Sequence, residues 1–324
     1  MAKLQIGVVG SGGMATSGSE QFSKIDDVNI LAVASRNHHT GEELARRHGA
    51  EFIADWRDLV QRCDIDGVAI FTHNDSHAEI AIAALEADKH VFTEYPLARS
   101  IDQGEAVIRL AKSKNRVLRV SHSEPVSNIH EIIRQKVQGL GSLLWTGFWR
   151  LTPGRGARPE ILFNLPVSGP PAHFFIYHVY PIVDLFGPAN WVDSAAVYEG
   201  MNDKGQYNRF VNTVTVGFSN GGIGQWTWAG GVETNSPEQH CRYVLNGGTI
   251  LNDGNGWHCA TSSGIEEIRP PESSSVSIQE RWTREILDGD LETAVADTAV
   301  AFEAIRISLA AEQSMREHKR IDLT

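Results

Sequence analysis

The chain has 324 residues, of which 41% are hydrophobic and 21% charged, the proportions of a globular protein rather than of a collagen, a coiled coil or an extended disordered chain. Its net charge is −11 and it carries no long basic run; an acidic surface repels a phosphate backbone, which argues against nucleic acid as a partner. Three scattered cysteines (Cys63, Cys241, Cys259) are too few for a disulfide framework or a Cys-rich metal centre. No apolar stretch approaches the ~20 residues of a membrane span. The start, MAKLQIGVVGSGG, lacks the basic, long apolar and cleavage parts of a secretory leader, so a cytoplasmic protein with no membrane partner is expected.

In chain order, Leu4–Gly10 is a continuous apolar run, the pattern of a strand buried on both faces. Val28–Ala34, Gly67–Thr72, His90–Thr93 and Arg116–Val120 repeat it. Between them, Thr40 with Glu43, Ser76 with Glu79 and Ser100 with Gln103 each fit a capping box, in which side chains satisfy the free amides of a helix's first turn. Gly49, after Arg46-Arg47-His48, marks a helix end. Strict alternation of strand and helix predicts a doubly wound parallel sheet with helices on both faces.

After residue 122 the texture changes. Leu143–Leu151, Trp191–Tyr198, Phe210–Phe218 and Gly224–Ala229 read as strands, with hairpin signals at Ser219-Asn220-Gly221 and Asn246-Gly247. Seven of the eight tryptophans fall in this half, which suits a broad open sheet. Pro153–Pro171 is a long loop rich in proline and glycine, and Arg281–Leu287 and Asp297–Glu317 are amphipathic helices. The expectation is an α/β protein: a Rossmann dinucleotide-binding domain over 1–122, then an α/β domain over 123–324 with a large open, mainly antiparallel sheet for substrate and oligomer contacts.

Gly10, Gly12 and Ala15, with Gly13 and Met14 between, spell G-x-G-x-x-A directly after the first strand. The first glycine permits a tight turn, the second lets backbone approach a pyrophosphate, and the small third residue lets helix and strand pack closely. The pyrophosphate would sit on the amides of the helix start. At the end of the second strand, where an NAD site places an acid, the chain reads Ala34-Ser35-Arg36-Asn37. A Ser35 hydroxyl beside the planar fork of Arg36 suits a 2′-phosphate, so NADP(H) is favoured and NAD(H) stays open.

Phe71-Thr72-His73-Asn74-Asp75-Ser76-His77 and Lys89-His90-Val91-Phe92-Thr93-Glu94-Tyr95-Pro96-Leu97-Ala98 follow in order. With the glycine turn, they resemble the glucose–fructose oxidoreductase, inositol dehydrogenase and MocA (Gfo/Idh/MocA) family over the whole chain. That resemblance implies a cofactor lying across the strand ends, contacting Thr72, His73, Asn74 and His77, with its nicotinamide near Glu94-Tyr95-Pro96. Polyol dehydrogenases of the family carry Glu-Lys-Pro there, and Tyr95 stands where their Lys helps remove a hydroxyl proton. A tyrosine can donate a proton but replaces an ammonium poorly. The family's second signature, an Asp and a His one helical turn apart, is also missing. Its stretch holds His173 and Tyr177 at i, i+4, with His178 beside them, and any of these is chemically suited to acid–base work.

Glu94-Tyr95-Pro96-Leu97-Ala98 and Ser121-His122-Ser123-Glu124 are similar to the biliverdin reductase branch, and His122 joins the cofactor set. That branch's substrate-serving arginines are replaced here by His178 and Pro181, leaving Arg155 and Arg158 of the long loop as other cations for an anionic substrate. His73, His77 and His122 lack ligand spacing and hydride transfer requires no ion, so no metal is expected. Three readings follow: an NADPH-dependent bilin-reductase-like enzyme, a sugar or polyol dehydrogenase lacking the usual Lys, or a catalytically silent NADPH-binding sensor. Trp145, Trp149, Trp226 and Trp228 lie on strands whose face would hold a homo-oligomer together or pack beneath helices.

Overall fold

A computed structural model describes residues 3–153, 163–270 and 276–323. Its elements run β1 (Leu4–Val9), α1 (Gly13–Phe22), β2 (Val28–Ala34), α2 (His38–His48), β3 (Glu51–Ile53), α3 (Trp56–Val60), β4 (Gly67–Ile70), α4 (His77–Glu86), β5 (His90–Thr93), α5 (Ile101–Ser113) and β6 (Leu118–Val120). There follow α6 (Asn128–Leu140), β7 (Leu143–Pro153), α7 (Leu165–Ser168), α8 (Pro171–Phe174), α9 (Ile176–Phe186), β8 (Ala189–Glu199), β9 (Arg209–Phe218) and β10 (Ile223–Val232). The chain continues through β11 (Glu238–Leu245), β12 (Gly248–Asn252), β13 (Trp257–Thr261), β14 (Gly264–Ile268), α10 (Ile278–Asp288), α11 (Leu291–Glu317) and β15 (Ile321–Asp322). Two units result. Unit 1 takes the chain up to Val126 with α10 and the part of α11 ending at Phe302; unit 2 takes Ser127 through β14 and Glu303 onward.

Unit 1 is a parallel sheet in the order β3-β2-β1-β4-β5-β6, the doubly wound arrangement expected. β3, a three-residue edge strand, carries too little pattern to be read from sequence. Local signals were used in more than one way. Ser100 caps α5 by accepting from the Gln103 amide at 3.2 Å, and Gly49 ends α2 at φ 65°. The cap of α2, however, is Asn37, which accepts from the Thr40 amide at 3.2 Å, because the Thr40 hydroxyl is engaged elsewhere. Ser76 stands at the N-cap of α4, but its hydroxyl turns back to Thr72 Oγ1 (2.8 Å) and the His73 carbonyl (2.9 Å).

Where the reading from sequence gives everything beyond residue 122 to a second domain, α10 and the start of α11 belong to unit 1. The physical reason is Trp282 on α10, fully buried with its ring edge-on to Phe22 (5.6 Å) and Phe92 (6.0 Å). Arg119 on β6 adds charge-assisted bonds to Glu285 of α10 and Asp297 of α11.

Unit 2 is a nine-stranded sheet ordered β14-β13-β12-β11-β7-β10-β9-β8-β15; β7 and β10 run parallel, and the other pairs are antiparallel. Both expected hairpins form, β9–β10 and β11–β12. The four strand tryptophans split between faces, because Trp226 pairs in register with Phe148 and Trp228 with Arg150. Trp226 and Trp228 are buried, Trp228 stacking on Phe175 beside α9 at 5.9 Å. Trp145 and Trp149 point to the opposite face, where Trp145 donates to Gln225 at 2.9 Å and Trp149 stacks on His240 at 4.2 Å.

Candidate active-site residues

In a doubly wound sheet the carboxyl ends of the strands share one edge, and the residues following β1, β2, β4, β5 and β6 therefore gather there. Gly10 follows β1 at φ 120°, where a Cβ would stand 2.4 Å from the Phe71 carbonyl oxygen, so only glycine fits. Gly12 caps α1 without a side-chain hydrogen bond, and the space a Gly13 Cβ would enter is open. The helix start thus presents amides and room together. Met14 is exposed, whereas Ala15 is fully buried. One turn on, Gly18 presses on the Phe71 ring so closely that a Cβ would stand 2.2 Å from it, a close helix–strand approach the motif does not reveal.

At the end of β2, Ser11 Oγ lies 2.7 Å from Ser35 Oγ and 2.6 Å from Thr40 Oγ1, a cluster of three hydroxyls that motif reading reached only at Ser35. Arg36 is exposed beside it and forms no ion pair among the described residues.

His77 is fully buried with Nδ1 2.7 Å from the Pro96 carbonyl and Nε2 3.1 Å from the Thr72 carbonyl. Both ring nitrogens face backbone carbonyls, and burial keeps the ring neutral with one N–H to donate to one of them, so His77 braces the Thr72 loop against the Tyr95–Pro96 turn with neither nitrogen open to a ligand. Tyr95 is half-buried and stacks on His122 at 5.2 Å with ring planes 17° apart. Burial pushes the His122 imidazole down to about 3, so it is neutral across the physiological range.

Glu94 is buried, and its carboxyl accepts from the Ser121 hydroxyl at 2.9 Å. Burial raises it from 4.5 to about 7 despite that bond. The fold therefore holds a proton that the unfolded chain releases: the contribution to stability is full below about 4.5, declines as pH rises and is lost above about 7. Glu94→Gln should abolish this decline and leave the variant about 3 kcal/mol more stable than wild type at alkaline pH. Denaturant titrations across that range would check it, and parallel pH profiles for the two proteins would refute it.

In unit 2, His173 ends α8 and Tyr177 and His178 lie on α9; Phe175, at φ −89° and ψ 24°, separates the two helices. The i, i+4 face expected for His173 and Tyr177 is therefore interrupted. His173 is buried and lies 3.0 Å from Ser308 Oγ of α11. Since that hydroxyl donates to the Ile305 carbonyl, it accepts from His173 Nδ1–H. His178 stacks on Phe148 at 4.2 Å, and its Nδ1 accepts from the Trp228 indole N–H at 3.1 Å. An indole only donates, so the imidazole proton is on Nε2. Burial, aided by the Arg150 charge, holds His178 well below its ordinary value. It is thus a neutral hydrogen-bond donor rather than the acid–base group expected. Burial raises the Tyr177 phenol, against the pull of Arg150, so it stays protonated at neutral pH. Asp184 ties α9 to α6 by accepting from His130 at 2.6 Å and pairing with Arg134.

Arg150 was not singled out in the sequence, whereas Thr40, Ser121 and Trp228 were named there only as a helix cap, part of a branch-like segment and a strand tryptophan. Arg150 alone had a signal there, a charge at the buried phase of an alternating strand. Arg155 and Arg158 lie outside the described residues. Among the described residues no group of three or more His, Cys, Asp or Glu is arranged to hold a metal ion.

Residues 4–122 match the model of an oxidoreductase family with an NAD-binding Rossmann fold (GFO_IDH_MocA). The levoglucosan dehydrogenase of Pseudarthrobacter phenanthrenivorans is 37% identical over 124 residues, 36% of this chain and 32% of that protein. The chain spans less than half the length of the curated relatives it matches first. A biliverdin reductase from Synechocystis sp., solved with biliverdin and NADP+, has a TM-score of 0.83 over 97% of this chain and 99% of its own at 22% identity. A levoglucosan dehydrogenase solved with NADH and levoglucosan gives 0.82 over 99% of both chains at 20% identity. At such identities these two are likenesses of fold.

Proposed function

We propose, for a chain that belongs to the Gfo/Idh/MocA oxidoreductase family through its residues 4–122, that it is an NADP(H)-dependent oxidoreductase acting on a small molecule held by unit 2. The observation that carries the cofactor choice is the end of β2: three clustered hydroxyls and an exposed Arg36 without a carboxylate stand where an NAD site places an acid. The open amide-lined start of α1 fits the pyrophosphate. When bound, the nicotinamide supplies or accepts the hydride. In this reading Gly10, Gly12, Gly13, Met14 and Ala15 cradle the pyrophosphate, and Ser35 and Arg36 hold the 2′-phosphate. Thr72, His73, Asn74, Glu94 and His122 line the remaining strand ends, with His77 as a brace behind them. Tyr95, stacked on His122, orients the substrate and gives it a proton; within unit 2, taken by itself, Tyr177 and the Nε2–H of His178 are hydrogen-bond donors and His173 holds α8 to α11.

A bilin-reductase-like reduction is the first reading because Tyr95 replaces the ammonium an alcohol oxidation would use. A sugar or polyol dehydrogenase is the second, supported by the levoglucosan dehydrogenase relative. We assign homo-oligomer contacts to the sheet face bearing Trp145 and Trp149, and a cytoplasmic location without a membrane partner; no helix among the described residues is long and apolar enough to cross a membrane.

Fluorescence titration should give NADPH a dissociation constant about tenfold or more below that of NADH, and Arg36→Ala should remove most of that preference. Equal affinities in the wild type would overturn the NADP(H) assignment. Under saturating cofactor, NADPH consumption with biliverdin or NADP+ reduction with levoglucosan separates the two substrate readings. Tight binding with no turnover across acceptors and sugars would point to the silent sensor.

A further inference from the structure

Strand β7 turns Trp149 to one face of the unit 2 sheet and Arg150 to the other, the face that carries α9. Arg150 lies in register with Trp228 of β10 and Gln239 of β11. It donates from Nη1 to Gln239 Oε1 at 2.8 Å, while its Nε is buried with no hydrogen-bond partner. It forms no ion pair with any carboxylate of the described residues. Two residues on, the Thr152 hydroxyl is also buried without a hydrogen-bond partner among the described residues, and the period of a strand sets it on the same face. A partly desolvated guanidinium that finds neither counter-charge nor a full set of acceptors among the described residues is costly to the fold, and the cost is relieved by an oxyanion that fills its planar fork. The neighbours are donors as well: Tyr177 keeps its phenolic proton, and His178, held by Trp228, presents Nε2–H.

We propose that Arg150, assisted by Thr152, is a specificity-determining residue that binds a carboxylate of the substrate in unit 2. The inference rests on the reading that unit 2 holds the substrate. One guanidinium matches the single charge of a carboxylate, whereas a phosphate monoester brings about −1.5 to −2. The site adds a substrate class that neither the glycine turn nor the missing Lys addresses: an acid, rather than a neutral sugar.

The test follows the Arg150 Nε–H resonance in full-length protein labelled with 15N-arginine, assigned by its loss in Arg150→Lys. Acetate, D-glucuronate, D-glucose, inorganic phosphate and chloride are titrated at matched ionic strength. The expected result is a saturable shift with acetate and glucuronate and none with glucose, and Thr152→Val should weaken the carboxylate response about threefold to tenfold. An unmoved resonance in folded protein would overturn the proposal, as would equal shifts with chloride or phosphate. Because the readout needs neither cofactor nor turnover, failure of NADPH binding would sink the proposed function and leave this signal intact, and the reverse also holds.

Discussion

Arg119→Met is expected to lower the stability of unit 1 by about 3–5 kcal/mol, the usual consequence of leaving a buried charge without its partner. Arg119 is 1% exposed and Glu285 is 2% exposed, so neither charge is relieved by water. The guanidinium donates from Nε to Glu285 Oε2 at 2.7 Å, pairs a second time with the same carboxylate, and reaches Asp297 at 2.8 Å. With methionine in its place, Glu285 keeps only the half-exposed Arg281, 2.9 Å away. The loss should be visible as a lower denaturant midpoint with an unchanged slope. The double variant Arg119→Met, Glu285→Leu should recover most of it, since an apolar replacement of a whole buried pair is often neutral. If the single variant is as stable as wild type, the pair contributes nothing and the docking of α10 rests on Trp282 alone. The prediction concerns function as well, because Arg119 is two residues from Ser121, the hydrogen-bond partner of Glu94.

Gly10→Ala should raise the NADPH dissociation constant by about a hundredfold while leaving a folded protein. The added methyl would stand 2.4 Å from the Phe71 carbonyl oxygen, and that atom is backbone of the segment following β4, with no side-chain freedom to yield. The residue would also have to hold φ 120°, outside the range of L side chains. The turn must then shift, and the amides at the start of α1 shift with it. Gly13→Ala is the matched control: nothing lies within 4 Å of its Cβ position, so the fold should be unaffected. Circular dichroism and cofactor titration on both variants separate the outcomes. Wild-type affinity in Gly10→Ala would mean that the glycine turn does not carry the pyrophosphate.

Much of unit 1 could be read from the chain because its information is local. A both-face-buried strand is a continuous apolar run, a helix start is a polar cap, and the glycine turn lies within six residues. The convergence of Gly10, Ser35, Thr72, Glu94 and His122 on one sheet edge follows from the fold class, since each lies within two residues of the end of a parallel strand. What failed there was the use of particular hydroxyls. Ser76 stands at an N-cap and Thr40 inside the first turn of α2, yet their hydroxyls bond to the Thr72 loop and to Ser11, because a neighbouring strand end offers a competing partner.

Unit 2 was less legible for a related reason. Its sheet keeps chain order in two runs, β14 to β11 and β10 to β8, but β7 is inserted between them, so β7 meets β10 and β11 only after some 80 residues of chain. The roles of Arg150, Trp228 and His178 depend on that register: the indole that sets the His178 tautomer comes from a distant strand, and the acid–base chemistry expected of the free imidazole disappears once it is buried and bonded. The sequence by itself determined the α/β class, the glycine turn after β1, the likeness of residues 4–122 to an oxidoreductase family and the absence of an acid after β2. Only the tertiary structure decided that α10 returns to the first unit, that His77 is a brace, that His178 is a neutral donor and that Arg150 meets no carboxylate among the described residues. Periodicity and turns are properties of consecutive residues, whereas protonation, tautomer and ion pairing are set by groups that only folding brings within a few ångströms.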